Sequence, residues 1–272
     1  MQRILITGAA GDVGQRVAPL LAAIYPDVVL SDIKTPAVIP PGCRFVRADL
    51  ALMDEVAAAV AGVDGIFHLG GFSVEGPWDT ILQANIVGCY NLFEAARIAG
   101  VRRIVFASSN HAVGFYPRGQ TIPPGVTTLP DSRYGVSKAF GEALGAMYAM
   151  KHGLGVLCLR IGNVGERPLD VRRLAIMLHP QDLVQLVRIG FEHPGLGFEV
   201  VYGASDNARA WWDNARAREL GYRPRHRAED FAAEAAAAET GRRPDPVGDH
   251  YQGGGFCSAE YTADFAAKKG HG

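Results

Sequence analysis

The stretch Ile4-Leu5-Ile6-Thr7-Gly8-Ala9-Ala10-Gly11-Asp12-Val13-Gly14 decides how this chain is read. An apolar, β-branched run gives way to three glycines spaced three apart, and Val13–Ile24 then repeats apolar residues at helical spacing. Strand, tight turn and helix in that order suit a dinucleotide pyrophosphate. Glycine lets the chain turn, lets backbone approach the phosphates, and lets the helix sit close to the strand. The first helical turn then offers free N–H groups and a partial positive charge. Glycine-rich turns are common, so the motif needs support from its surroundings. Asp32 supplies it at the end of the second apolar run, 24 residues after Gly8. A carboxylate there bonds the ribose hydroxyls and repels a 2′-phosphate, which predicts NAD rather than NADP. Lys34 lies close enough to soften that preference.

The same rhythm continues outward. Short apolar runs at Ile4–Thr7, Val28–Ser31, Phe45–Arg47, Gly65–Leu69, Arg103–Ser108 and Val156–Ile161 read as strands. Helical patterns at Met53–Ala61, Ile81–Ala99 and Ser137–Lys151 separate them. Continuous apolar strands alternating with helices predict an α/β fold, a doubly wound parallel sheet of Rossmann type covered on both faces. After Ile161 the pattern loosens. Helices are expected at Gln181–Phe191 and Ala228–Glu239 and a strand at Glu199–Tyr202. The arginines at 216, 218, 223, 225 and 227 read as a solvated surface. We therefore expect a nucleotide-binding region over 1–162 and a small substrate-binding cap over 163–272, joined in one structural unit. At 272 residues the chain can bury a sizeable core without staples.

Composition narrows the function. With 27 basic and 28 acidic residues the chain lacks the basic excess of a nucleic-acid binder. No apolar stretch is long enough to span a bilayer, so no membrane partner is expected. Cys43, Cys89, Cys158 and Cys257 form no CxxC pair and no zinc spacing, which predicts reduced thiols and no metal. The N-terminus has neither the long apolar run nor the cleavage site of a secretory signal, and a cytoplasmic protein is expected.

Strand ends of such a sheet carry its chemistry. Gly8, Gly11, Asp12, Val13 and Gly14 are expected around the phosphates, and Asp32 and Ile33 at the ribose. Asp49-Leu50 closes the third strand, where the acid either accepts from an adenine amino group or caps the next helix. Leu69, Gly70 and Gly71 leave room for the cofactor backbone, and Ile161 ends the sixth strand beside it. His68 reads as structural. Tyr134 and Lys138 share a helix face at a spacing of four, and Ser108, Ser109 and Asn110 follow the fifth strand. Together they form a proton relay. The lysine cation favours phenolate, the phenolate takes a proton from a substrate hydroxyl as hydride leaves its carbon, and Ser109 holds the same oxygen.

On Thr7, Gly8, Gly11, Gly14, Asp32, Asp49-Leu50, Asn85, Ser109, Tyr134 and Lys138, the chain resembles the extended, epimerase-like branch of the short-chain dehydrogenase/reductases. The resemblance implies that Asn85 belongs to the cofactor site, organising a water near the lysine. Longer strings resemble the members of that branch that oxidise uronic acids with NAD. They are Phe106-Ala107-Ser108-Ser109-Asn110-His111-Ala112-Val113-Gly114-Phe115-Tyr116-Pro117, His68-Leu69-Gly70-Gly71-Phe72-Ser73-Val74-Glu75, Gly203-Ala204-Ser205 with Trp211-Trp212-Asp213-Asn214, and Tyr251-Gln252-Gly253-Gly254. That resemblance implies oxidation of galacturonate or glucuronate at C1 to the aldarolactone by a homo-oligomer. It places Ser73, Ser109, Asn110, His111 and Tyr134 on the sugar and Arg172 on its carboxylate, since a planar guanidinium matches a carboxylate bidentately. Arg173 is adjacent, so the pair is resolved only by register. Asn163 stands where serine is expected. The alternatives are a nucleotide-sugar epimerase or dehydratase of the same fold and a non-catalytic NAD sensor. The 111 residues after Ile161 are few for holding a nucleotide-sugar, Asn110-His111 replace a dehydratase's acidic pair, and a sensor commonly loses the tyrosine or lysine.

Overall fold

The apolar runs line up as a seven-stranded parallel sheet in the computed structural model, which describes residues 1–266. The chain runs β1 (Arg3–Thr7), α1 (Asp12–Ala22), β2 (Asp27–Asp32), β3 (Cys43–Arg47), α2 (Met53–Val60) and β4 (Gly65–His68). Next comes α3 (Trp78–Ile81), which passes through a π-helical turn at Leu82–Val87 into α4 (Gly88–Ile98), then β5 (Arg103–Ser109), α5 (Arg133–His152) and β6 (Gly155–Ile161). A short pair, β7 (Asn163–Val164) and β8 (Met177–Leu178), brackets α6 (Arg173–Ile176); α7 (Pro180–Glu192) and β9 (Phe198–Gly203) follow. Four short helices, α8 (Ala215–Glu219), α9 (Ala232–Ala238), α10 (Pro246–His250) and α11 (Gly255–Ser258), finish the described chain.

Strand order is β3-β2-β1-β4-β5-β6-β9, with every neighbour parallel. The order reverses between β1 and β4, and the crevice above their C-terminal ends is where such sheets bind ligands. Alternate residues feed opposite cores. Ile4, Ile6, Val28, Leu30, Val105 and Leu157 join one, under α1 and α7. Leu5, Val29, Ile104, Phe106, Val156 and Cys158 join the other, under α2, α4 and α5. Burial on both faces explains why the strands read as continuous apolar runs.

Two differences from the sequence reading have local causes. Helix α5 begins at Arg133 rather than Ser137, because the Ser132 hydroxyl accepts from the Gly135 N–H at 3.0 Å and starts the helix early. Tyr134 therefore sits in the first turn. The Ala228–Glu239 helix is broken at Phe231 into a 3₁₀ turn followed by α9. β9 extends the main sheet beside β6, and α7 packs on α1 and β5. The remaining segments lie over the C-terminal strand ends through two small clusters, around Tyr202 and Trp212 and around Leu174 and Met177. Arg216 and Arg218 are exposed and paired with Glu199, Glu219 and Asp206, a solvated face. Among the described residues no helix is long and apolar enough to cross a membrane.

Candidate active site

A cleft of about 500 Å³ opens at the switch point. Its floor is bare backbone. Gly8 has φ +67°, and a Cβ there would lie 2.7 Å from Gly70 N; a Cβ on Gly14 would lie 2.5 Å from the Gly8 carbonyl oxygen. Gly11 caps α1 with no side-chain hydrogen bond, so the N–H groups of the first turn are left for a ligand. Asp12 and Val13 line the cleft at that turn. Asp32 serves the site twice. It lines the cleft, and its carboxylate accepts from Ala10 N at 3.0 Å and from Lys34 N at 3.1 Å, fixing the glycine turn. Ile33, Leu50, Leu69, Gly70, Gly71 and Ile161 complete the wall. A glycine floor, an uncapped helix start and a carboxylate at the β2 end suit an extended dinucleotide whose ribose carries no 2′-phosphate.

Three expected residues deserve separate placement. Asp49 lines the cleft and accepts from Ala51 N at 2.9 Å, closing the turn ahead of α2; it does not cap that helix, whose N-cap is Leu52. Asn85 is buried in the π-helical turn. Its amide accepts from Phe72 N at 2.7 Å and donates to Phe72 O and Ser137 Oγ, both at 2.9 Å. It thus holds the loop carrying Ser73 rather than facing the cleft. His68 is buried and hydrogen bonded to Thr7 Oγ1 at 2.7 Å, and burial pushes its pKa down to about 3, so it is neutral and structural.

Ser109, Tyr134 and Lys138 meet on the far wall. Lys138 Nζ donates to the Ala107 carbonyl at 2.8 Å and lies 5.4 Å from the centre of the Tyr134 ring. Burial pushes Lys138 down to about 8 and Tyr134 up to about 12, while the Ser109 hydroxyl pulls Tyr134 back toward phenolate. The sequence expectation is that the lysine lowers the tyrosine; here desolvation sets the direction, and the group that opposes it is Ser109. The ammonium is tied to the Ala107 carbonyl, and both side chains are buried. Beneath them Ser108 Oγ donates to Glu142 at 2.6 Å, and Arg160 grips the same carboxylate at 2.9 Å through both Nε and Nη2. That buried fork ties β5, α5 and β6 together.

A second cleft of about 460 Å³ joins the first at Gly162 and Asn163. Asn110, His111, Asn163 and Arg172, four of the residues expected on the sugar, line it. Ser73, also expected on the sugar, lines the first cleft instead. Arg172 donates from Nε and Nη2 to the Gln252 carbonyl at 3.1 and 2.7 Å. With the Asn110 amide donating to the Ile161 carbonyl, its oxygen accepts from Arg172 Nη2 at 3.2 Å. Among the described residues no carboxylate pairs with Arg172. Burial, then Arg118 and Arg173, pushes its pKa down to about 10. Arg173 instead pairs with Asp170. The sequence reading missed Arg118 and Phe256, which line the cleft, and Gln252, whose carbonyl holds Arg172. Their one signal was the Tyr251-Gln252-Gly253-Gly254 string, which has no chemistry of its own to read.

The model of the NAD dependent epimerase/dehydratase family matches residues 4–179. The chain belongs to this family. Within it, uronate dehydrogenase of Agrobacterium fabrum is 45% identical over 94% of this chain and 97% of its own length, and that of Pseudomonas putida is 42% identical over 94% and 96%. A uronate dehydrogenase mutant from Agrobacterium tumefaciens solved in complex with NAD superposes with a TM-score of 0.90 at 44% identity, covering 95% of this chain and 97% of that one. The chain thus matches those enzymes over nearly their whole length and shares their fold.

Proposed function

We propose that the chain is an NAD-dependent dehydrogenase of uronic acids, oxidising galacturonate or glucuronate at C1 to the aldarolactone. The observation that carries this reading is Arg172, a guanidinium removed from water and paired with no carboxylate among the described residues, lining the cleft that joins the relay's cleft at Gly162 and Asn163. Such a cation is stabilised by an anionic ligand. NAD, when bound in the glycine-floored cleft, accepts the hydride. Arg172 holds the substrate carboxylate, and Asn110, His111, Asn163 and Ser73 fix the ring. Ser109 bonds the anomeric hydroxyl and Tyr134 takes its proton. Lys138 holds positive charge beside the tyrosine ring. An epimerase or dehydratase is not favoured, because the relatives matching nearly the whole chain are uronate dehydrogenases. Residues 163–272, apart from α7 and β9, supply the sugar side. We also assign the chain to the cytoplasm as a homo-oligomer. Four free cysteines support the first, and exposed Tyr90, Ile98, Val136, Met147 and Met150 on α4 and α5 support the second. The test is NADH formation with galacturonate, glucuronate, galactose, glucose and nucleotide-sugars. Turnover confined to the two uronates supports the reading, and equal turnover of galactose overturns it.

A further inference from the structure

Asp131 has no part in the relay or in the contacts expected of the sugar side, yet the surrounding chain is shaped around it. Its side chain is fully enclosed, and its Oδ2 lies at hydrogen-bond distance, 2.7 Å, from His111 Nδ1. The Ser132 hydroxyl donates to Oδ1 at 2.7 Å, and the Asp131 N–H donates to the His111 carbonyl at 3.3 Å. The two residues are thus joined by backbone and side chain together. Gly114 and Gly253 close the socket, and a Cβ on either would collide with Asp131 Oδ2. The imidazole is fixed on other sides as well. Phe256 stacks on it at 3.9 Å between ring centres and 19° between planes, and the Tyr134 ring meets it edge-on at 5.8 Å.

We propose that Asp131 is the positioning residue for His111, holding the proton on Nδ1 so that Nε2 faces the sugar as a bare acceptor. A carboxylate only accepts, so the nitrogen it meets carries the proton, and a neutral imidazole then has a lone pair at the other nitrogen. Because Nδ1 is turned inward and the ring lines the sugar-side cleft, Nε2 lies on the edge left to the substrate. A sugar offers hydroxyl donors there, and Arg172 and Ser109 supply donors elsewhere. An oriented acceptor beside Tyr134 fixes the ring rotation that brings C1–H toward the hydride acceptor. The socket of glycines explains why Gly253 belongs to the active site although it touches no expected contact. The proposal takes the substrate to be the uronic acid of the preceding section; the role of Asp131 itself requires only a hydroxylated ring.

A double-mutant cycle separates positioning from simple structural support. Asp131→Asn, near-isosteric, should leave NAD binding by fluorescence titration unchanged and lower kcat/KM for galacturonate by roughly 10- to 100-fold, the range for removing a histidine's orienting partner. In a His111→Ala background the same substitution should cost less than about 2-fold, since nothing remains to orient. Losses that multiply in the double variant, or an Asn variant with unchanged kcat/KM, overturn the proposal. If the Asn variant fails to fold, ¹⁵N NMR of the wild type decides. A protonated Nδ1 with a lone pair at Nε2 supports it, and the opposite tautomer overturns it. The cycle is run with whichever sugar the substrate panel selects. A failed uronate reading therefore shows in the panel, and a failed Asp131 reading shows in the coupling.

Discussion

Replacing Arg172 by methionine keeps most of the stem's volume and removes the cation of the second cleft that, among the described residues, pairs with no carboxylate. Its expected cost follows from the donors still free. A guanidinium has five N–H groups. One on Nε and one on Nη2 are taken by Gln252 O, and the other on Nη2 by Asn110, which leaves both hydrogens of Nη1. A substrate carboxylate thus gains one or two charge-assisted bonds there, and a third by displacing Asn110. Each contributes roughly 1.5–3 kcal/mol, and truncating one side of a desolvated pair costs about 2–4 kcal/mol. At 1.4 kcal/mol per decade, kcat/KM for galacturonate should fall roughly 30- to 1000-fold. Galactose has the ring without the carboxylate and should be oxidised poorly by the wild type and little worse by the variant. The assay is initial-rate NADH absorbance with both sugars, and the informative number is their ratio. Arg173→Ala is the control; Arg173 is already paired with Asp170, so galacturonate turnover should change by less than about 3-fold. If Arg172→Met keeps the wild-type preference for galacturonate over galactose, the carboxylate is held elsewhere and the reasoning fails. If Arg173→Ala carries the loss, the clamp is the neighbouring arginine.

Asp32→Ala should raise KM for NAD far more than for NADP, measured by cofactor titration at saturating uronate; equal losses would leave Asp32 only its structural bond to Ala10. Tyr134→Phe should bind NAD nearly as the wild type does and lose at least about 10² in kcat, the low end of general-base contributions. Near wild-type turnover would move the base to another group. Arg160→Met should strand the Glu142 carboxylate in a site where the arginine is only 3% exposed, costing about 3–5 kcal/mol by urea unfolding. An additional Glu142→Leu should recover most of that loss, and no recovery would mean that packing rather than charge is responsible.

Legibility followed the range of the interactions. The dinucleotide cleft was readable because its parts are local: Gly8 to Gly14 form one turn, Asp32 ends the next strand, and Tyr134 and Lys138 lie one helical turn apart. The period-2 segregation of Ile4 and Ile6 from Leu5 was invisible as alternation, since both faces are apolar. The sugar side was read mainly by likeness, and its supports were not readable at all. Gln252 meets Arg172 across 80 positions, and Asp131 meets His111 across 20. Neither pair has a spacing that a helix or strand imposes. The two clefts also differ in what they ask of the sequence. Phosphates and ribose need small residues and backbone, which leave a pattern, whereas a sugar acid needs scattered side chains held by tertiary contacts.

Lys138 shows what the site costs the fold. Its ammonium is buried without a carboxylate partner, and desolvation lowers its pKa from 10.5 to about 8. The unfolded chain holds that proton up to about pH 10.5. Below pH 8 both states are protonated and the folded state bears the whole penalty. Between 8 and 10.5 the folded chain releases the proton while the unfolded chain keeps it, so the penalty shrinks as pH rises; above 10.5 it is gone. A shift of this size corresponds to on the order of 3 kcal/mol. Lys138→Met, an apolar side chain of similar length, should therefore be more stable than the wild type at pH 7 while nearly inactive, the exchange of stability for activity expected where a catalytic charge is buried. The comparison must be made as a difference between variants, because Cys89 and Tyr134, raised by burial, themselves lower stability above about pH 9 and 10. Urea unfolding of both proteins from pH 6 to 10 is the measurement. The gain should be constant up to about pH 8 and decline above it. A variant less stable than the wild type across that range would mean that the bond from Nζ to the Ala107 carbonyl and the contacts with the Phe106 and Tyr134 rings outweigh desolvation. The lysine would then be a structural asset as well as a catalytic one.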